Sequence, residues 1–275
     1  ARMIMAGYEY VGKLPFENVY FTGIVRDKLG RKMSKQLGNS PDPIDLIQKF
    51  GADGVRMGVL ISSPAGNDLP FDSSQCEQGR NFTNKIWNAS KLVMSWDVKD
   101  MDQPRSSEMA IAWFDAKFNR GLKEINELFD KFKISEALMV TYKLVWDDFC
   151  SWYLEMIKPG YQQPIDQKTI ESTKLFFENI LKIIQPFTPF IAEELWHTIR
   201  EREEDIIVAK WPVYRDLNED ILSKFEQAEE VITNIRNVRK QNSIANKIKL
   251  ELFVKKNKEF SDDFDPVLIK MGNLS

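Results

Sequence analysis

From Asp72 onward the apolar positions repeat at helical spacing, and the pattern holds for about 130 residues. Phe82, Ile86, Ala89, Val93 and Trp96 recur at intervals of three and four, one stripe over several turns. Ser74 and Glu77 have capping-box spacing at the start of that run. Pro104 and Ser106-Ser107 reset the chain, and Ile111, Phe114, Phe118, Leu122 and Ile125 form a second stripe. Leu138, Tyr142, Val145, Phe149, Trp152 and Met156 make a third, stopped by Pro159-Gly160. Ile170, Phe177, Leu181 and Ile184 give a fourth, and Thr188-Pro189 opens a fifth with Ile191, Leu195 and Ile199 inward. Long amphipathic helices joined by short connections predict a mainly α, antiparallel helical bundle to about residue 204.

The flanks read differently. Residues 1–13, rich in Met3, Met5, Tyr8 and Tyr10, predict a buried helix with a frayed end. Val19-Tyr20-Phe21-Thr22 is a short β-branched and aromatic run and predicts a strand. A single strand builds no sheet, so this one points to a parallel-sheet domain cut upstream. Asp42 as N-cap with Pro43 behind it opens a helix through Phe50, which Gly51 ends. A second short helix is expected over Ala52–Ile61, before Ser63–Asn67 breaks the chain. Beyond the bundle, Ile206–Ala209 and Trp211-Pro212 predict an extended segment laid across it, followed by a helix over about 218–240. Ile248, Leu250, Leu252 and Val254 then alternate with Lys249, Glu251 and Phe253, a strand pattern, and Asp265-Pro266 starts another helix. Three units result: 1–71, 72–215 and 216–275, the last a small α/β tail.

Composition narrows the class. Hydrophobic residues make up 43% and charged ones 29% of 275 residues, a globular profile. No apolar run is long enough to cross a bilayer, so no membrane partner is expected. Cys76 and Cys150 are too few and scattered for a disulfide framework or metal site, which makes a reducing cytoplasm the default. His197, the single histidine, predicts no metal because no cysteine or carboxylate cluster is evident beside it. The chain starts at Ala1, inside the expected first helix, and so reads as a segment of something longer. A net charge of −3 announces no nucleic-acid binder, so any such contact must rest on local patches.

The candidate chemistry sits in Gly30–Ser40. Lys32 and Lys35 flank Ser34, and Gly30 and Gly38 bracket them as conformationally permissive positions. Two ammonium groups, a hydroxyl and backbone N–H groups offer a mobile cationic clamp for phosphate oxygens. Such a clamp stabilises charge developing on a leaving pyrophosphate. The competing reading of these residues alone is a solvated basic loop.

The surroundings add a family. Val25-Arg26-Asp27 before the loop, Gly38–Ile47 after it, Gly51-Ala52-Asp53-Gly54-Val55-Arg56, and Arg80–Ser90 stand in an order that resembles class I aminoacyl-tRNA synthetases of the valyl type. The likeness runs from the first residues to about Lys256. Phe187–Trp196 favours valyl over isoleucyl or leucyl forms. Two departures stand out: the family's K-M-S-K-S ends here in Gln36, and its histidine-rich ATP-binding signature is absent.

The resemblance implies ATP with Mg²⁺ as cofactor and valine and tRNA(Val) as partners, in an enzyme that makes valyl-adenylate and passes the amino acid to tRNA. Lys32 and Lys35 become the catalytic pair, and Lys32, Met33, Ser34 and Lys35 the ATP-binding loop. Residues 1–71 become the end of a Rossmann-like catalytic domain, and the bundle an anticodon-binding domain. The missing first signature implies that this segment alone is inactive, and a monomer is expected. The editing domain of the class lies outside this chain. The tRNA contacts implied are Arg80, Asn84, Lys85, Trp146, Arg236, Arg239 and Lys240. Phe149, Trp152 and Tyr153 are further aromatics able to stack on bases. Phe149 and Trp152 fall on the core stripe, which favours packing for them and leaves Trp146 the better candidate. Lys247, Lys249, Lys255, Lys256 and Lys258 extend the basic tail. The reading from a different class is a free-standing helical RNA-binding module without catalysis.

Overall fold

The computed structural model describes residues 1–63, 66–253 and 261–275. The chain is mainly α. Helix α1 spans Arg2–Val11, α2 Pro43–Phe50, α3 Ala52–Ile61, α4 Ser73–Met94 and α5 Arg105–Asp130. Helix α6 covers Ile134–Lys143 and runs directly into a π-helical stretch, Leu144–Tyr153, which α7 (Leu154–Ile157) continues. Helices α8 (Gln167–Ile184), α9 (Pro189–Ile199), α10 (Glu219–Gln241) and α11 (Asp265–Gly272) complete the set. Two-residue strands form two small parallel pairs: β1 (Val25–Arg26) with β2 (Leu69–Pro70), and β3 (Val98–Lys99) with β4 (Ile165–Asp166).

One apolar core runs from Met57 in α3 to Leu268 in α11, with Trp113, Phe114, Leu122, Phe149, Phe177 and Phe225 at its most buried points. The predicted stripes supply it. Phe82, Ile86, Ala89 and Val93 of α4 are buried, as are Phe114, Phe118, Leu122 and Ile125 of α5 and Ile170, Phe177, Leu181 and Ile184 of α8. Helices α3 and α4 pack backbone to backbone through glycines. A Cβ on Gly79 would lie 2.4 Å from the Gly54 carbonyl oxygen, and one on Gly58 2.6 Å from the Cys76 nitrogen. Only hydrogen fits at either place.

Several expectations fail for local reasons. Helix α1 forms, but none of its ten residues is buried, because no other described element covers it. Val19–Thr22 is not a strand; the pairing begins at Val25, where Leu69–Pro70 supplies a partner edge. Helix α4 begins at Ser73 with Asp72 as N-cap, its carboxylate accepting from the Ser74 N–H at 3.0 Å. Glu77 pairs with Arg80 instead of closing a capping box with Ser74. The third stripe does not continue as a regular α-helix. Over Leu144–Tyr153 the wider i→i+5 turn rotates the register, which buries Tyr153 completely and leaves Trp152 half-exposed. Tyr153 gains a buried bond of 2.8 Å to the Thr173 hydroxyl.

Among the described residues the tail is helical. Residues 248–253 form no strand, and a single bridge joins Leu250 to Leu274. Val254 and the lysines at 255, 256 and 258 lie outside the described residues. Ile206–Val208 is a 3₁₀ turn, and the chain after it does cross α5: Trp211 Nε1 donates to Asn126 at 2.9 Å, and the Arg215 N–H to Asn119 at 2.7 Å.

Candidate active-site loop and nucleic-acid interface

Asp27 organises the lysine loop. Its Oδ1 accepts from the N–H groups of Leu29 (3.0 Å) and Arg31 (2.9 Å). Its Oδ2 accepts from Arg31 Nε at 2.9 Å and Asn39 Nδ2 at 3.0 Å. The Asn39 hydrogen bond, together with those from Arg31 and Leu29, holds the carboxyl down at about 2. Asn39 closes the loop from the far side: its amide also donates to the Lys32 carbonyl (3.3 Å), and its carbonyl accepts from the Ser34 N–H (2.9 Å). An Arg26–Lys32 bridge and a 3.2 Å bond from the Met33 N–H to the Val25 carbonyl tie the loop back to β1.

Met33 turns inward, onto an apolar cluster of Phe50, Leu69, Phe71 and Cys76 that Val55 and Val59 of α3 also join. The Ser34 hydroxyl accepts from the Leu37 N–H at 3.2 Å. Gly30 and Gly38 have φ of 76° and 63°, the left-handed region that favours glycine. The result is a loop braced at its base whose two lysines point away. Lys32 and Lys35 are exposed, and among the described residues neither makes an ion pair. Two free ammonium groups three residues apart on such a loop suit an anionic, multi-oxygen ligand.

Helix α3 joins the loop's apolar anchor to the bundle. Asp53, 7% exposed, accepts from the N–H groups of Ile191 (2.7 Å) and Phe190 (3.3 Å), capping α9 across 138 residues of sequence. Burial pushes its pKa up, against the pull of those two N–H groups. Arg56, one turn on, donates to the carbonyls of Pro186 (3.1 Å) and Phe187 (3.3 Å). Thr188 offers α9 no side-chain cap of its own. The acids Asp45 and Asp53 are recognisable in sequence as potential caps, but that Asp53 caps a helix so far along the chain is not.

The expected nucleic-acid residues divide. Trp146 is half-buried, stacked on Tyr142 at 5.5 Å and 8°, with the Lys85 ammonium 5.4 Å from its ring. Trp152, half-exposed in the same π-helical stretch, has the Arg236 guanidinium 5.1 Å from its ring. Two indoles, each with a cation from another helix, therefore stand on one irregular segment. Asn84 and Lys240 are exposed, as are Lys247 and Lys249. Arg80 instead docks α4 on α2, reaching the Lys49 carbonyl at 3.5 Å and lying 5.7 Å from the Phe50 ring.

Arg239 corrects the expectation outright. It is 5% exposed, and its guanidinium donates to the carbonyls of Ala245, Ile248, Gly272 and Asn273 at 2.9–3.2 Å. These acceptors include the carbonyl end of α11, where a cation is favoured. It fastens the tail and has no face left for phosphate. Phe149 and Tyr153 are 1% and 0% exposed and cannot stack on a ligand. His197 is also a correction: Glu193, one turn below on α9, and Asp205 both reach it, at 3.0 Å and 3.6 Å.

Residues 112–254, more than half of the chain, match the sequence model of the anticodon-binding domain of tRNA ligases. The chain belongs to that family. Residues 1–72 match the class I tRNA synthetases (I, L, M and V), so the lysine loop falls in a class I segment and the bundle in the anticodon-binding family. Across its full length the chain is 54% identical to a valine–tRNA ligase of Christiangramia forsetii and 56% identical to one of Phocaeicola vulgatus. It spans 32% of the length of each of these relatives. Among solved structures, the ternary complex of Agrobacterium radiobacter K84 agnB2 LeuRS with tRNA and LeuAMS superposes with a TM-score of 0.56 at 20% identity, covering 80% of this chain and 26% of that one. That likeness concerns the fold. The class I reading of the sequence and its mainly α architecture stand.

Proposed function

We propose that this chain is part of a valine–tRNA ligase, in which ATP and valine give valyl-adenylate and the valyl group then passes to tRNA(Val). The observation that carries the reading is the identity of more than half of all positions to valine–tRNA ligases over the whole chain, lysine loop and bundle together. In this reading residues 1–71 complete the catalytic domain, 72–215 bind the tRNA, and 216–275 brace the bundle from one side.

The chain's own residues have distinct parts. Lys32 and Lys35, unpaired on their braced loop, meet the phosphates of ATP with its Mg²⁺ and stabilise the charge on departing pyrophosphate. Asp27 and Asn39 hold that loop in register without touching the nucleotide. Ser34 and the loop backbone contribute to the same ATP site. Trp146 with Lys85, and Trp152 with Arg236, form the RNA-facing surface, joined by Asn84 and Lys240; aromatic faces take bases and cations take phosphate. Arg80 acts indirectly, by seating α4.

Lys35→Ala in the full-length protein tests the assignment. Valine-dependent pyrophosphate exchange is expected to fall by about 10²–10³-fold, the scale for losing one donor to transition-state charge. Valine binding, measured by calorimetry, should stay nearly unchanged. Equal exchange rates in variant and parent would remove the lysine loop from catalysis, and charging of another amino acid would remove valine.

A further inference from the structure

Helix α9 carries a second chemical constellation toward its C-terminal end. Glu193 and His197 are one helical turn apart, and the chain reverses after Arg200 to bring Asp205 beside them. His197 Nε2 lies 3.0 Å from Glu193 Oε1 and 3.6 Å from Asp205 Oδ1, and the three donor atoms fall within 4.8 Å of one another.

The other ring nitrogen decides what this means. Nδ1 lies 3.2 Å from the Arg202 carbonyl oxygen. A carbonyl only accepts, so Nδ1 must carry the proton of that bond. In neutral imidazole Nε2 is then a bare lone pair, and it faces two carboxylate oxygens, which are also acceptors. Glu193 Oε1 already accepts from the Ile206 N–H at 3.1 Å, and Asp205 is open to water. What the cluster leaves unmet is the approach of Nε2 to the carboxylates, which a second proton or a metal cation satisfies. An imidazole fixed by an Nδ1–H···O=C bond is the usual second shell of a metal-ligating histidine.

The geometry suits a metal. Tetrahedral zinc with ligand distances near 2.0–2.2 Å sets donor atoms about 3.3–3.5 Å apart, between the two separations found here. The turn that carries Asp205 and the Arg202 carbonyl is also rigidly held. Arg202 stacks 3.6 Å from the Trp196 ring and pairs with Glu178 at 3.1 Å, and Trp196 Nε1 donates to the Glu204 carbonyl at 3.0 Å. On the open side, Glu193 and His197 line a groove with Gln185, Phe190 and Thr198, leaving room for water on the ion.

We propose that Glu193, His197 and Asp205 bind a divalent transition-metal ion of the zinc type, one imidazole and two carboxylates, with water in the remaining position. The ion ties the C-terminal end of α9 to the 200–206 turn. One nitrogen among oxygen donors selects zinc or cobalt over magnesium, which prefers oxygen alone in octahedral array. The acidic neighbours Glu201, Glu203 and Glu204 add to the field that attracts the cation and repels RNA from this edge.

The test is titration of chelator-stripped full-length protein with Co²⁺, following visible absorption, and with Zn²⁺ by calorimetry, in parent, His197→Ala and Asp205→Asn. Both side chains are at least one-third exposed, so neither change endangers the fold, and thermal unfolding checks it. The parent is expected to bind one more equivalent than either variant, with an added Co²⁺ absorption band that both lose and an affinity at that equivalent at least 100-fold higher. Millimolar Mg²⁺ should leave that equivalent in place. Equal stoichiometry and spectra in parent and His197→Ala would overturn the site, leaving a protonated histidine as the satisfier of the cluster. Displacement by Mg²⁺ would overturn the imidazole's part in it.

Discussion

The bundle and the lysine loop are held by different forces. Phe114 sits with no exposed surface against Trp113, Phe118, Phe149, Tyr153 and Phe176, ring centroids 4.9–6.4 Å apart. The loop has one apolar anchor, Met33, and is otherwise held by polar contacts: the hydrogen bonds of Asp27 and Asn39 and the backbone ties to β1. Apolar burial is cooperative and spread over many residues, whereas a polar hub releases its whole loop when one partner leaves. A rigid platform and a separately releasable arm follow from that contrast. Under the proposed function, the contrast suits a loop that engages and releases a phosphate chain while its support stays folded.

The comparison breaks most visibly in the core. Phe114→Ala should cost about 3–5 kcal/mol of global stability, read by denaturant unfolding. A loss under about 1 kcal/mol would mean the bundle is far looser than its packing. Next, Asn39→Ala should lower the local opening free energy of the loop by about 1–3 kcal/mol, seen as faster hydrogen exchange at Arg31 and Ser34, with little change in global unfolding. If global stability fell equally, loop and bundle would be one cooperative unit.

Acid sharpens the same distinction. Asp27 titrates at about 2 in the folded chain, below the ordinary 3.8. A depressed carboxylate stabilises above its unfolded pKa and loses that contribution as pH falls through the folded one. Exchange protection at Leu29 and Arg31 should therefore be full above pH 4 and fade between about 4 and 2. Protection that vanishes only with the global acid transition would count against a separate loop. The smallest effect belongs to Lys85→Ala, which should cost about 0.5–1 kcal/mol of stability through its contact with Trp146. Under the proposed function, the slope of log affinity for tRNA(Val) against log salt should also shrink by about one phosphate contact. An unchanged slope would place that lysine off the RNA path.

Much of the molecule was readable because its signals are local. Asp42 and Pro43 mark the start of α2 and Gly51 its end, each from neighbours a few residues away. The helical stripes are equally local, and those of α4, α5 and α8 face the core as read. The failures involve partners distant in sequence. Val19–Thr22 has strand composition without a paired edge, and Arg239 looks like any tail arginine until α11 folds over it. The π-helical turn was illegible because periodicity fixes a stripe but not a one-residue change in helical register.

By itself, the sequence determined which segments are helical, which faces are apolar, and that two lysines stand on a loop between flexible glycines. Those properties depend on backbone propensity and side-chain polarity at short range. Only the tertiary structure decided that Asp53 caps α9, that Arg239 is a fastener, and that Glu193, His197 and Asp205 meet. Such contacts are set by how elements pack: Asp53 meets α9 across 138 residues, Arg239 meets the end of α11 across 33, and a turn of the chain returns Asp205 to Glu193 and His197.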